Sequence, residues 1–350
     1  MDLFESGKVV RVCAPMVRYS KLSFRCLVRK YGCDVCFTPM IVAADFMRSV
    51  KARDSEFTTD RSDRPLIIQF AAKDAQTLAD AACVVAPFSD GVDLNCGCPQ
   101  RWAMAEGYGA CLINKPQLVK DMVRHVKDQV EKPNYAVSIK IRIHKDLRKT
   151  VDLCQKVEAA GVSWITVHGR TAEERHQPVH YDAIKTIKDS LSIPVIANGD
   201  VKNLQDVESI HQLTGVDGVM AARGLLANPA LFAGYEYTPL NRKRGELFPR
   251  LSKTGDSCEE GELLDLRIYA YHGFDSQLRP TSITDMFPWC TLSRFGKISF
   301  TGGNSERRVL GRECASASTP MGVLWSASEN NRGQYAFSLD AKGPKLAQPK

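Results

Sequence analysis

The chain has 350 residues, 44% of them hydrophobic and 25% charged, which is typical of a globular protein with a sizeable core. No apolar run reaches the roughly 18 residues of a membrane span, and the N-terminal residues lack the apolar stretch of a signal peptide, so neither is expected. The formal net charge of +7 is compatible with a polyanionic partner, but many ordinary proteins share it.

Strand-like and helix-like segments alternate along the first two thirds of the chain. The predicted strands are residues 9–13, 35–37, 66–70, 91–94, 136–141, 164–167, 194–197 and 218–220. The predicted helices are residues 20–31, 74–86, 116–130, 147–160, 181–190 and 204–213. Because parallel strands need a crossover, the pattern predicts a (β/α)8 TIM barrel over residues 1–238. An open doubly wound sheet is disfavoured, since no Gly-x-Gly-x-x-Gly follows the first strand.

Residues 239–350 have a different character. They are rich in Gly, Pro, Ser and Thr and lack sustained periodicity, apart from one short helical pattern over residues 259–271. We therefore expect a largely irregular, disordered C-terminal segment after the barrel.

Polar residues or glycines follow almost every predicted strand. In a barrel of this kind the loops at the carboxyl ends of the strands form the active site. The residues at these ends are Ala14, Pro15, Met16, Gln69, Asn95, Cys98, Lys140, Arg142, His168, Asn198, Gly199, Asp200, Ala222, Arg223 and Gly224. Their distribution predicts one large ligand spread across the barrel mouth.

The last two strand ends predict a phosphate site. Loops after strands seven and eight bind phosphate in many barrels, through backbone N–H groups. Gly199 and Gly224 allow close backbone approach there, and Arg223 adds positive charge. Either glycine alone is more often a simple turn residue, but the pair favours a site.

Three other polar residues have both a structural and a functional interpretation. Lys140 lies on an apolar strand, where its charge needs either a salt bridge inside the barrel or a bound ligand. His168 is either a core histidine or a ligand contact, and Gln69 either bonds a neighbour or lines the site.

The cysteines favour proton transfer over metal binding. Cys96 and Cys98 would be half of a zinc site, but no second pair lies at the spacing of a ribbon or finger, so no metal is expected. Cys33 and Cys36 straddle a turn and a strand, which favours a structural role. A thiol with an ordinary pKa near ~8.5 is protonated at neutral pH, so Cys98, in the loop before Pro99, is a candidate general acid. Without a secretory signal, free thiols and a cytoplasmic or nuclear location are expected.

Six motifs in order resemble those of tRNA-dihydrouridine synthases. They are residues 14–16, 93–99, 106–110, 138–142, 167–171 and 197–200, and the similarity extends over residues 5–236. The resemblance is to a eukaryotic branch of the family that acts on D-loop uridines at tRNA positions 20a and 20b. It implies FMN as the bound flavin, NADPH as the electron source, tRNA as the partner and, we expect, a monomer.

The resemblance also implies roles for individual residues. Hydride passes from flavin N5 to C6 of the uracil, and Cys98 protonates C5. Asn95 and Arg142 are implied to bind the substrate. The implied cofactor-binding residues are Ala14, Pro15, Met16, Gln69, Lys140, His168, Asn198, Gly199, Asp200, Ala222 and Arg223.

One departure from the family leaves other functions open. Family members continue into a helical domain that grips tRNA, whereas the similarity here stops near Glu236. The alternatives are a barrel flavoenzyme that acts on a free pyrimidine, or a non-catalytic read-through or splice-type product.

Overall fold

The computed structural model describes residues 3–4, 7–236, 325–329 and 335–339. The strands of its first part are β1 Val10–Cys13, β2 Val35–Phe37, β3 Ile41–Val42, β4 Leu66–Ala71, β5 Gly91–Cys96, β6 Ala136–Arg142, β7 Trp164–His168, β8 Val195–Asn198 and β9 Gly218–Ala221. The helices are α1 Leu22–Lys30, α2 Ala43–Arg48, α3 Val50–Glu56, α4 Ala75–Val85, α5 Arg101–Ala105, α6 Pro116–Gln129, α7 Leu147–Glu158, α8 Tyr181–Asp189, α9 Leu204–Thr214 and α10 Arg223–Ala227. Short 3-10 turns lie at Ala86–Phe88, Gly109–Asn114 and Leu231–Ala233.

Eight of these strands close into a parallel barrel. β1 pairs with β2 on one side and with β9 on the other, β2 pairs with β4, and β4 to β9 follow in chain order. The two-residue β3 pairs only with the end of β4. The predicted (β/α)8 barrel is therefore confirmed, and all carboxyl strand ends lie at one face.

The sequence explains why these elements form. All six residues of β4 are buried, as expected of a strand with side chains in the barrel and side chains under the helices. Helix α6 begins at Pro116, which suits a first helical turn, and buries Val119, Met122, Val123 and Val126 at helical spacing. Each such side chain contributes about 1.5–3 kcal/mol.

All eight predicted strands and all six predicted helices are present, with small shifts at their ends. The missed elements, β3, α2, α3, α5 and α10, have two to seven residues each, too few for a periodic pattern to emerge. β5, β6 and β7 extend to Cys96, Arg142 and His168, beyond the predicted ends. Several polar residues therefore lie on rigid strands and not in loops.

Within the predicted irregular segment, the structure describes one antiparallel pair, β10 Trp325–Glu329 with β11 Tyr335–Leu339. The rest of residues 239–350, including the helical pattern at 259–271, lies outside the described residues. No helix in the described part is long and apolar enough to cross a membrane. The cysteines of residues 7–236 are free thiols, as predicted.

Candidate active site at the barrel mouth

The barrel brings the predicted polar residues together at its carboxyl face. Asn95 on β5 lies in register with Lys140 on β6. His168 on β7 lies in register with Arg142 on one side and with Asn198 on the other. Because alternate residues of a strand face the same side, these inward-facing groups form one polar layer across four neighbouring strands.

Gln69 and Asn95 are linked to each other and to a buried carboxylate beneath them. Asn95 Nδ2 donates to Gln69 Oε1 at 2.9 Å, and Gln69 Nε2 donates to Asp93 Oδ2 at 2.8 Å. Ser138 Oγ donates to the other oxygen of Asp93 at 2.7 Å. Burial raises the pKa of Asp93 to about 6, and the hydrogen bonds from Gln69 and Ser138 oppose this shift.

The loop that carries Cys98 is held from both sides. Asn95 Oδ1 accepts the backbone N–H of Gly97 at 3.2 Å and that of Cys98 at 2.9 Å. On the other side, Ala110 N donates to Cys98 O at 3.0 Å. Gly109 has a left-handed φ of 69°, and a Cβ there would approach Cys98 O to 2.6 Å. The close approach of the two segments therefore requires glycine.

The Cys98 side chain is half-buried and has an apolar wall beside it. It packs against a small cluster formed by Ala71, Ala103 and Tyr108. Lys73 Nζ lies 5.8 Å from the centre of the Tyr108 ring, on the outer side of this loop. The thiol is thus shielded on one side by this cluster and remains partly exposed.

Lys140 on β6 is one of the cations of this polar layer. Among the residues that the structure describes, it has no hydrogen-bond or ion-pair partner, so the salt bridge considered above is absent there. Burial and the charge of Arg142 lower the pKa of Lys140 to about 8, while the charge of Asp93 opposes the shift. An ammonium in such a place favours a ligand that brings electron-rich oxygens or nitrogens.

Arg142 is already engaged with backbone carbonyls. Its Nε donates to Gly97 O at 3.0 Å, and its Nη1 donates to Thr171 O at 2.9 Å and to Glu174 O at 3.2 Å. Burial lowers its pKa, as does the neighbouring Arg170. The guanidinium therefore ties the Cys98 loop to the loop after β7 and leaves Nη2 for a ligand.

His168 is held neutral. Burial, together with the surrounding cations Lys140, Arg142 and Arg170, lowers its pKa to about 2. Arg170 Nη1 lies 3.4 Å from His168 Nε2, and since arginine only donates, Nε2 accepts. We assign the imidazole proton to Nδ1 on this basis.

Two arginines converge on Asp200 after β8. Arg170 Nη2 forms a short ion pair with one carboxylate oxygen, and Arg223 Nη2 lies 3.4 Å from the other. Asp200 has a left-handed φ of 51° and Gly199 a φ of 136°, so the chain turns sharply after β8. Asp200 therefore positions the two arginines, and these supply the positive charge on this side of the mouth.

The other residues of the predicted phosphate site are explained partly by packing. Asn198 Nδ2 donates to Met220 O at 2.8 Å and ties β8 to β9. A Cβ on Gly224 would overlap the carbonyl oxygen of Val201, so this glycine is required by the fold itself. Ala222 precedes α10, which begins at Arg223.

Residues 14–16 form the wall on the far side of the mouth. Ala14 N donates to Ala221 O at 3.0 Å and extends the β1–β9 ladder by one residue. Met16 is buried, its N–H donates to Ser20 Oγ at 3.0 Å, and its carbonyl accepts the N–H of Ser20 at 3.0 Å. Pro15 between them is half-buried.

Three residues of this site lie within the sequence motifs but were given no role there: Asp93, Ser138 and Arg170. Asp93 and Ser138 each lie two residues before a predicted site residue on the same strand, and that spacing was the available signal. Thr166, in register with Lys140, is also buried, and its Oγ1 has no hydrogen-bond partner among the described residues. No cluster of three metal-ligating side chains occurs in the described part of the chain.

The fold and the mouth together define a parallel-barrel enzyme whose site combines cations, amides and a protonatable thiol. The profile of the family described as dihydrouridine synthase matches residues 12–259, more than half of the chain and past the domain boundary predicted at residue 238. The chain belongs to the dihydrouridine synthase family.

Individual relatives agree with this assignment. A human tRNA-dihydrouridine(20a/20b) synthase-like protein is 72% identical over 240 residues, 69% of this chain and 76% of that protein. The tRNA-dihydrouridine(20a/20b) synthase of Schizosaccharomyces pombe is 49% identical over 243 residues, 68% of this chain and 74% of that protein. Among solved structures, the old yellow enzyme of Trypanosoma cruzi overlaps over 63% of this chain and 86% of that chain, with 11% identity and a TM-score of 0.45.

Proposed function

We propose that this protein is an FMN-dependent tRNA-dihydrouridine synthase. It uses NADPH to reduce the C5–C6 double bond of D-loop uridines, at positions 20a and 20b. Family membership and the relatives whose names give these positions and NAD(P)+ support the proposal. The observation that carries it is the Cys98 thiol, held at the mouth by Asn95, on the same face as the Lys140 ammonium, which has no partner in the described part of the chain.

The mouth fits a flavin mononucleotide. Its phosphate is a dianion, and the turn at residues 198–200 with Ala222 and Arg223 offers N–H groups and charge after the last two strands. The Lys140 ammonium suits the electron-rich N1 and C2 carbonyl edge of the ring. Gln69, His168 and residues 14–16 line the remaining space, and the orphaned Thr166 hydroxyl below is a further polar group facing it.

When bound, the reduced flavin supplies the hydride that is added to C6 of the uracil. The chain's own residues prepare the base for this. Asn95 and the free Nη2 of Arg142 hold the uracil edge, and Lys140 stabilises negative charge that develops on the carbonyl oxygens. His168, being neutral, positions a ligand without competing for protons.

Cys98 completes the reduction. Its Sγ gives a proton to C5 while C6 receives the hydride, so the double bond becomes a single bond with two new C–H bonds. The wall of Ala103 and Tyr108 excludes water from one side of the thiol. Solvent then restores the proton on Sγ after the product leaves.

Exposed apolar side chains at the rim of the barrel favour a nucleic acid as the substrate over a free pyrimidine. Val17 and Tyr19 in the loop after β1, and Trp102 and Met104 on the short helix α5 that follows β5, are large, apolar and exposed. They lie at the carboxyl end, where a base taken out of its stack would enter. Aromatic side chains offset the unstacking cost of a few kcal/mol by stacking on neighbouring bases. With such a substrate, we propose a cytoplasmic or nuclear location for the enzyme.

The test is Cys98→Ala. Flavin content and NADPH-driven flavin reduction should stay within about twofold of wild type, whereas dihydrouridine formation falls roughly 10²–10⁴-fold. Cys111→Ala is the matched control, because Cys111 is a half-buried thiol of the same region that packs against the barrel core and donates from Sγ to Tyr108 O. Full dihydrouridine formation by Cys98→Ala would refute the role of this thiol.

A further inference from the structure

An unbroken chain of hydrogen bonds joins the buried Asp93 carboxylate to the backbone of Cys98. Asp93 accepts from Gln69, Gln69 accepts from Asn95, and Asn95 accepts from the Cys98 N–H. The three distances are 2.8, 2.9 and 2.9 Å. Each hydrogen bond joins two strands or a strand and a loop. Together they fix the position of the catalytic loop relative to the barrel interior.

The two ends of this chain determine the orientation of both amides. An ionised carboxylate only accepts hydrogen bonds, and a backbone N–H only donates. Asp93 therefore turns the NH2 of Gln69 inwards and its oxygen towards Asn95. That leaves the oxygen of Asn95 for Gly97 and Cys98, as the structure shows. If Asp93 did not fix one end, only the Gly97 and Cys98 N–H groups would hold the two amides in this orientation.

We propose that Asp93 is a positioning residue for base reduction: through Gln69 and Asn95 it fixes the place of the Cys98 loop. The inference deepens the proposed function and rests on it for the role of Cys98. Asp93 does not touch the ligand space, since it is fully buried beneath the two amides. Its proposed role is to keep the side-chain oxygen of Asn95 oriented towards the backbone N–H groups of the loop.

The energetic cost of Asp93 supports a task beyond folding. Burial of a carboxylate without an ion-pair partner is unfavourable, and Asp93 has none among the described residues. Hydrogen bonds from Ser138 and Gln69 offset only part of that cost, since the pKa still lies above its ordinary value. An apolar residue at this site would pack the barrel at lower cost.

Hydrogen–deuterium exchange of the Gly97 and Cys98 amides in the full chain tests the proposal without using activity. In Asp93→Ala these two amides should exchange roughly 10–100-fold faster, the range expected on loss of a charge-assisted hydrogen bond. Asp93→Asn retains an acceptor for Gln69 and should restore most of the protection. Ser138→Ala removes a hydrogen bond from the same carboxylate without breaking the chain, so it is the matched control and should change exchange less than about threefold.

The pattern of exchange decides between positioning and general support. Acceleration confined to the loop supports the proposal. Unchanged loop amides in Asp93→Ala, or an equal acceleration in a distant element such as α6, overturns it. This result stands even if the protein reduces no tRNA, so it is separable from the proposed function.

Kinetics of uridine reduction provide a second test of the proposal. If Asp93 acts through Asn95, Asp93→Ala combined with Asn95→Ala should reduce uridine no more slowly than Asn95→Ala alone, while flavin reduction by NADPH is spared. Multiplicative losses in the double variant would show that Asp93 acts by another route and would overturn the relay.

Discussion

Lys140→Met should make the flavin-free protein more stable at neutral pH. The ordinary pKa of this lysine, 10.5, falls to about 8 in the folded state because of burial and the charge of Arg142. A shift of this size corresponds to about 3 kcal/mol at 1.36 kcal/mol per unit. Methionine retains the length of the side chain and removes the charge. We therefore expect the free energy of unfolding to rise by up to about 3 kcal/mol at pH 7.

The pH dependence gives the sign of the effect. Between pH 8 and 10.5 the folded protein has lost the proton of Lys140 while the unfolded chain still binds it. Wild-type stability therefore rises with pH in this window, and the advantage of Lys140→Met shrinks to about 1 kcal/mol near pH 9.5. The assay is urea unfolding at pH 7 and 9.5, with Lys149→Met, at an exposed position, as the matched control. Equal or lower stability of Lys140→Met at pH 7 would refute the claim that burial of this ammonium destabilises the folded protein.

Two further predictions concern the ligands. Arg223→Glu should purify with at least about tenfold less flavin, because an anion would face the phosphate beside Asp200. Flavin absorbance per chain measures this, Arg124→Glu on the outer surface is the control, and wild-type flavin content would contradict the phosphate placement. Trp102→Ala should weaken tRNA binding by roughly 5–100-fold, since stacking of one base contributes about 1–3 kcal/mol, with NADPH oxidation unchanged. Filter binding at fixed salt measures the affinity, and an unaltered affinity would exclude Trp102 from the tRNA surface.

Strand periodicity was enough to predict the barrel and the face that carries the site. Parallel pairing then guaranteed that Asn95, Lys140 and His168 meet, although they are far apart in the chain. The sequence could not reveal the role of Asp93, because its partners Gln69 and Ser138 lie on other strands, 24 and 45 residues away. A single acid in an apolar run has no pattern that predicts its neighbours.

The same limit applies to the side of the mouth where a phosphate site is proposed. Gly199 and Gly224 were predicted together from their positions after two strands. The structure gives different reasons for the two glycines. Gly199 has a positive φ, whereas Gly224 is required because a Cβ there would collide with Val201. The pairing of Arg170 with Asp200 was equally hidden, because it depends on how two loops approach each other. Packing between loops is the part that periodicity does not encode.

The most direct test of the account is a single turnover with reduced enzyme under anaerobic conditions. The flavin is reduced with NADPH, excess nucleotide is removed, and tRNA that lacks dihydrouridine or free uracil is added. The account predicts that tRNA reoxidises the flavin with formation of one dihydrouridine per flavin, at position 20a or 20b by mass spectrometry, and that free uracil does so far more slowly. Equal reoxidation by free uracil, or none by tRNA, would contradict it.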